Sequence, residues 1–257
     1  MLNGFTSLFF DPLQMVNKWR AIPVYVSNLI KYIRLNKGNQ KFPMRYSSLY
    51  FTTYEKFMPG GILQGHYFFQ DIWAAEKIFA ARPGLHIDIA SRIDGFIAHL
   101  LPFCKVEYVD IRKIDSPFQN LIFREGSLLQ LPYPDNSVKS LSCLHVIEHI
   151  GLGRYGDSID PAGFSKAAEE LVRILAPGGV LYFGTPIGKE KLYFDAHRVF
   201  AIETILAMFQ DLAMEEFSLI NDKARGIIQN ASFAEANDCR YGCGLFVFTK
   251  PGSTSEI

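Results

Sequence analysis

The chain has 257 residues, of which 49% are hydrophobic, so it can bury a sizeable core and is not a disordered protein. Lys plus Arg equals Asp plus Glu, at 26 each, and this balance offers no electrostatic footprint for nucleic acid. Cys104, Cys143, Cys239 and Cys243 lack the paired spacing of a zinc site, which reads as free thiols in a reducing cytoplasm and assigns no metal.

The charge is unevenly placed. Residues 1–50 hold seven bases and one acid, a net +6, and the remaining 207 residues hold 19 bases and 25 acids, a net −6. Short apolar stretches there, of which "AIPVYVSNLIKYI" is the longest, are broken by Pro12, Pro23 and Pro43. This start reads as a basic helical extension, residues 1–65, packed on the acidic body, with peripheral contact to an anionic membrane or a partner as the alternative. No apolar run reaches the ~18 residues that span a bilayer, and no secretory signal is evident. "MPGGILQG", 58–65, reads as a hinge to a body at 66–257.

In the body the pattern becomes regular. "FFQDIWAAEKIFA" predicts a helix, "LHIDI" a strand and "GFIAHLL" a helix. "KVEYVDI", "NLIFREG" and "SVKSLSCLHV" predict three more strands. "GFSKAAEELVRILA" predicts an amphipathic helix, capped by Asp160, with Pro161 in its first turn and Pro177-Gly178-Gly179 ending it. "GVLYFGTP" predicts a strand, "AIETILAMFQ" a helix, and "EEFSLI" and "GLFVFTK" closing strands. Such alternation argues for a mostly parallel twisted sheet with helices on both faces. Ligands of such sheets bind beyond the carboxyl ends of the strands. That rule selects Asp88 to Gly95, Asp110 to Lys113, Gly126 to Leu128, Leu144 to His149 and Thr185 to Gly188.

"REGSLLQLPYPDNSVKSLSCLHVIEHI", followed by "LVRILAPGGVLYFGTP", resembles the middle of class I S-adenosylmethionine-dependent methyltransferases. The resemblance covers roughly residues 71–250. "GHYFFQDIWAAEKIF", "SRIDGFIAHLL", "IEHIGLGRYGDSIDP" and "DAHRVF" further resemble a family of unknown function within that superfamily. The resemblance implies a Rossmann-like α/β methyltransferase fold with an antiparallel C-terminal strand, and S-adenosylmethionine as cofactor. It implies cofactor contacts from Asp88, Ala90, Ser91, Arg92, Gly95, Asp110, Ile111, Ser127 and Leu128. The superfamily's first loop is rich in glycine. Here Ala90, Arg92 and Asp94 stand at those places, and Gly95 takes the last one if a residue is inserted.

"HVIEH" has the zinc-peptidase spacing His-x-x-Glu-His, but at a strand end rather than on a helix. A divalent ion on His145, His149 and the Asp195–His197 segment is a separate candidate. His145, then His197, with His149 behind them, are candidate proton acceptors, because methyl transfer to a hydroxyl needs a base. Arg154, Tyr155 and Asp157 in the polar loop "GLGRYGDSIDP" are candidate contacts to a small polar acceptor, a sugar or glycan precursor. The alternative is a non-catalytic scaffold whose first loop no longer takes the cofactor. Arg92 is expected to meet the cofactor carboxylate or to anchor a neighbouring acid.

Overall fold

The structure is a computed structural model that describes residues 12–50, 57 and 63–252. It divides into two compact units, Met1–Ile62 and Leu63–Ile257. The first unit carries helix α1 (Pro12–Leu35), with Pro23 inside it, and a 3₁₀ turn at Tyr46–Ser48. Trp19, Tyr32, Leu35 and Phe42 are exposed there beside Lys31, Arg34 and Lys41. Among the described residues no helix is long and apolar enough to cross a membrane. Most of the expected hinge, residues 58–62, lies outside the described residues.

The second unit opens with α2 (His66–Ala81) and β1 (His86–Ile89). A π-helical turn (Ile93–Ile97) then runs into one α-helical turn, α3 (Ala98–Leu100). β2 (Val106–Asp110), β3 (Leu121–Glu125), β4 (Val138–Leu144) and α4 (Gly163–Ile174) follow. β5 (Leu175–Ile187) is next, then a small hairpin of β6 (Lys191–Tyr193) and β7 (His197–Val199). The chain closes with α5 (Ile202–Met208), β8 (Ala213–Ile220), β9 (Ile228–Gln229), α6 (Phe233–Asp238) and β10 (Gly242–Thr249). The strand order is β3-β2-β1-β4-β5-β10-β8-β9. The first five strands are mutually parallel, and β10 inserts antiparallel between β5 and β8. This is the Rossmann-like methyltransferase fold with its antiparallel last strand.

Alternation in the strands feeds two cores. Ile87, Ile89, Leu141, Cys143, Leu181 and Phe183 face α4 and α5, which contribute Ala167, Ala168, Leu171, Ile174, Ile202 and Ile205. Val106, Tyr108, Leu144 and Tyr182 face α2 and the π turn, which contribute Trp73, Ala74, Ile78, Phe96 and Ile97. β1 is buried on both faces, as a central parallel strand must be.

Several boundaries differ from expectation. The helix at α4 stops at Ile174 because Leu175 already pairs with Val138. Pro177-Gly178-Gly179 therefore forms a bulge inside β5, where the register jumps to Ser140 opposite Val180 and Gly178 takes φ +72°. Asp160 does not cap α4, whose N-cap is Ala162; its carboxylate accepts from the Ala162 amide and pairs with Lys166. The helix after β1 is a π turn rather than a regular helix start.

Gly95, expected at the cofactor, serves packing instead. A Cβ there would lie 2.2 Å from an Asp71 carboxylate oxygen on α2. Gly95→Ala is expected to destabilise the second unit by about 1–3 kcal/mol, the usual range for overpacking. Chemical denaturation of the two proteins checks this.

Candidate active site

The turn after β1 is set by Asp88. Its Oδ1 accepts the Ser91 amide (2.9 Å), and its Oδ2 accepts the Ser91 hydroxyl (2.6 Å) and the Ser142 hydroxyl of β4 (2.5 Å). Ser91 Oγ in turn accepts the Leu144 amide (3.1 Å), tying the turn to the end of β4. Burial pushes the Asp88 carboxyl up to about 7, against the pull of these three donors. Asp88 and Ser91, read from the sequence as cofactor contacts, are thus internal fasteners, although Ser91 also reaches a wall of the groove described next.

That turn bends through Ala90 at φ +52°, and the next strand over, β4, is followed by His145 at φ +55°. Left-handed backbone is costly for both residue types, and such strain clusters at functional sites. Together they open the sheet edge into a groove of three compartments. The first, about 100 Å³, is walled by Ala90, Asp110, Ile111, Ser127, Leu128 and Tyr155. The second, about 280 Å³, is walled by Tyr67, Ser91, Arg92, Tyr108 and Arg112. The third, about 570 Å³, is walled by His66, Tyr67, Asp222, Arg240 and Tyr241. His145 lines all three, and His149 lines the first two.

Asp110 ends β2 in the first compartment, where an acid can accept ribose hydroxyls. Its carboxylate is already engaged: Arg112 donates from its amide (2.8 Å), Nε (3.1 Å) and NH2 (2.9 Å), and Tyr108 from its hydroxyl (3.0 Å). The Arg112 side chain is more than half exposed, and its guanidinium lies 4.7 Å over the Tyr155 ring, which Arg154 covers at 5.2 Å. Arg112 is a site residue that sequence reading missed. Arg92, by contrast, forks onto Asp94 at the surface (2.5 and 2.9 Å) and lies over Tyr67. It neither plugs the groove nor crosses to Asp110.

The polar loop is largely self-satisfied. Asp157, expected as an acceptor contact, accepts the amides of Gly151 (2.7 Å) and Tyr155 (3.3 Å). Arg154 donates to the Ala196 carbonyl (2.9 Å), as does His149 Nδ1 (2.6 Å), so the loop is clamped to the β6–β7 turn. Arg198 adds a bond to the Ile150 carbonyl (2.8 Å). Tyr155 and Asp157 wall the compartment beside Asp110. His197 stacks between Tyr193 and Tyr241. Among the described residues His149 and His197 do not join His145 as metal ligands, so the ion expected on them is not assembled. Ile147–His149 is a 3₁₀ turn, which also removes the peptidase geometry.

His145 has two distinct nitrogens. Nδ1 bonds Gln70 Oε1 at 2.5 Å; an amide oxygen only accepts, so Nδ1 carries the proton. Nε2 then holds a lone pair, is buried and has no partner. Burial holds this imidazole well below its ordinary pKa, hence neutral. Gln70 is a second missed residue; its signal is a polar pair, Gln70-Asp71, on the buried face of α2. Gly184 of β5 makes room for it, since a Cβ there would lie 2.6 Å from Gln70 Oε1.

Residues 133–231 match the family described as "Caenorhabditis protein of unknown function, DUF268". No curated protein sequence matches the chain. Many solved structures share the fold, among them the following two. The [4+2]-cyclase SpnF is 12% identical, with a TM-score of 0.51, over 71% of this chain and 82% of its own. A Burkholderia thailandensis 1,6-didemethyltoxoflavin-N1-methyltransferase, solved with its substrate and S-adenosylhomocysteine, is 11% identical, with a TM-score of 0.51, over 91% of this chain and 90% of its own. At such identity the likeness is one of fold.

Glu148 generates a pH prediction. It is fully buried, its Oε1 accepts no hydrogen bond and lies 3.7 Å from His149 Nε2, and burial pushes its pKa from 4.5 up to about 8. A raised carboxyl contributes stability that is complete below pH 4.5 and lost as pH climbs to about 8. Glu148→Gln is expected to flatten that decline by up to about 1.4 kcal/mol per pH unit. Unfolding free energies measured between these pH values check the slope.

Proposed function

We propose that this chain is a methyltransferase that takes S-adenosylmethionine and methylates a small polar acceptor, with a sugar or glycan precursor as the acceptor class. The observation that carries the reading is the placement of Asp110 and His145 in one groove across the ends of β1, β2 and β4. The residues present fit the cofactor. Asp110 would hold the ribose hydroxyls, while Val109, Ile111, Leu128 and Val146 offer apolar walls to the adenine. The Ala90–Arg92 turn borders the compartment left for the amino-acid end. The three compartments jointly reach the roughly 300–1,000 Å³ typical of small-molecule sites. When bound, S-adenosylmethionine supplies an electrophilic methyl group on a sulfonium.

The acceptor then belongs in the third compartment, where the rings of Tyr67, His66 and Tyr241 suit the C–H face of a sugar. His145 is the protein group common to both sides of the transfer. Its neutral Nε2 is available to orient an acceptor hydroxyl by accepting its proton in a hydrogen bond. The fold relatives support the reading at the level of kind, since one carries S-adenosylhomocysteine, while the other is a cyclase and shows that the fold alone does not dictate the reaction.

One observation favours the second reading, a scaffold that takes no cofactor: Arg112 occupies Asp110. Calorimetry with S-adenosylhomocysteine separates the two. Hydrogen bonds to a charged acceptor are worth about 1.5–3 kcal/mol each, so Asp110→Ala should weaken binding at least tenfold. Arg112→Ala should tighten it severalfold by releasing the carboxylate. Absence of binding by both the native chain and Arg112→Ala would establish the scaffold.

The basic first unit is assigned to an anionic membrane surface on its charge and its exposed Trp19, Tyr32 and Leu35. Sedimentation with phosphatidylserine vesicles should pull the full chain down at low salt and release it at high salt. A chain that ignores the vesicles at low salt rejects the assignment.

A further inference from the structure

The antiparallel direction of β10 brings its first residues to the same sheet edge at which β4 ends. Cys243 is the second residue of β10, His145 follows β4, and His66 opens α2. One ring nitrogen from each histidine and the Cys243 Sγ all lie within 4.8 Å of one another. We propose that His66, His145 and Cys243 form a binding site for a zinc-type transition metal at the acceptor end of the groove.

The donor set fixes the class of ion. Two imidazoles and a thiolate suit zinc or cobalt, whereas magnesium and calcium demand oxygen ligands that this cluster lacks. Three protein ligands leave the fourth tetrahedral position open, the arrangement of catalytic rather than structural zinc sites. Ligand atoms around tetrahedral zinc stand about 3.3–3.8 Å apart, given metal–ligand bonds of about 2.0–2.3 Å, so closure needs movements of an ångström or less. His66 is the half-buried member and its side chain borders the third compartment, which allows that adjustment.

The surroundings are those of a ligand set. His145 Nε2 is buried without a partner while Nδ1 is fixed by Gln70, the outer hydrogen bond that orients a metal-bound imidazole. The Cys243 thiol lies 3.8 Å from Gln70 Oε1 and donates to it until metal binding releases the thiol proton. His66 is held by stacking on Tyr241, 5.0 Å between centroids. Metal is bound by neutral imidazole and by thiolate, so binding expels the Cys243 thiol proton. His66 and His145 line the cavity of Tyr67 and Tyr241, where a bound ion would take the Nε2 lone pair and would itself polarise a hydroxyl or thiol acceptor in place of that hydrogen bond; that role rests on the methyltransferase reading, and the metal site does not.

The test uses the full chain stripped of metal with a chelator and titrated with zinc or cobalt alone. The expected result is one equivalent bound, an affinity that rises with pH, and a thiolate-to-cobalt charge-transfer band. His66→Ala should weaken binding at least tenfold and Cys243→Ser should abolish the band, with metal-free melting curves verifying that both variants fold. Absence of stoichiometric binding, or a band that survives Cys243→Ser, overturns the site. If zinc binds with this dependence while S-adenosylhomocysteine does not bind, the metal site stands and the methyl-transfer reading falls. If the cofactor binds and zinc does not, the reverse holds.

Discussion

The second unit depends on a buried polar chain that runs between its two central strands. Ser140 and Ser142 of β4 flank His86 of β1, each 2.8 Å from a ring nitrogen, and Ser142 passes on to Asp88. The protons can be counted. Ser142 has one, which goes to Asp88, so His86 Nε2 donates to Ser142 and His86 Nδ1 accepts from Ser140. His86 is therefore a neutral imidazole, in keeping with the burial that pulls its pKa down to about 3. A chain of this kind in an apolar layer is stable only when every member is satisfied. Its satisfaction fixes the register of β1 against β4, and Asp88 at its end fixes the turn that opens the groove.

The same fastening explains why the groove sits where it does. Ala90 and His145 leave adjacent strands in left-handed backbone, and each is held by a backbone bond to a further strand, Ala90 to Val109 and His145 to Gly184. The strain is local and the support comes from the sheet. The clamp from His149, Arg154 and Arg198 onto the β6–β7 turn and the β4 loop then makes one roof out of two segments distant in sequence. "IEHIGLGRYGDSIDP" and "DAHRVF" are thus two halves of one structure, joined through backbone carbonyls as acceptors.

Electrostatics divide the site into an engaged half and a free half. Around Asp110 every oxygen lone pair has a donor, and the Tyr155 ring that walls this compartment is stacked by two arginines. Around His145 the opposite holds: a neutral nitrogen is left without a hydrogen-bond partner beside a thiol and a second imidazole. An unsatisfied buried atom costs about 1–3 kcal/mol, and this one stands where the three compartments meet.

The sequence by itself determined the α/β alternation, the parallel strands and the carboxyl edge as the place for a site, because hydrophobic periodicity and turn residues are local properties. Asp110, His145 and the loop at 151–161 were legible for that reason, each standing at a strand end. Tertiary structure alone decided their uses. Asp88 turned inward because Ser142 waits one strand away, Gly95 met Asp71 rather than a cofactor, and Arg112 claimed Asp110 from two residues on. Gln70, His66 and Cys243 were invisible as a group, since they lie on α2 and β10, as many as 177 positions apart along the chain. Only the antiparallel insertion of β10 sets its start beside the end of β4, and such long-range pairing leaves no periodic trace in the sequence.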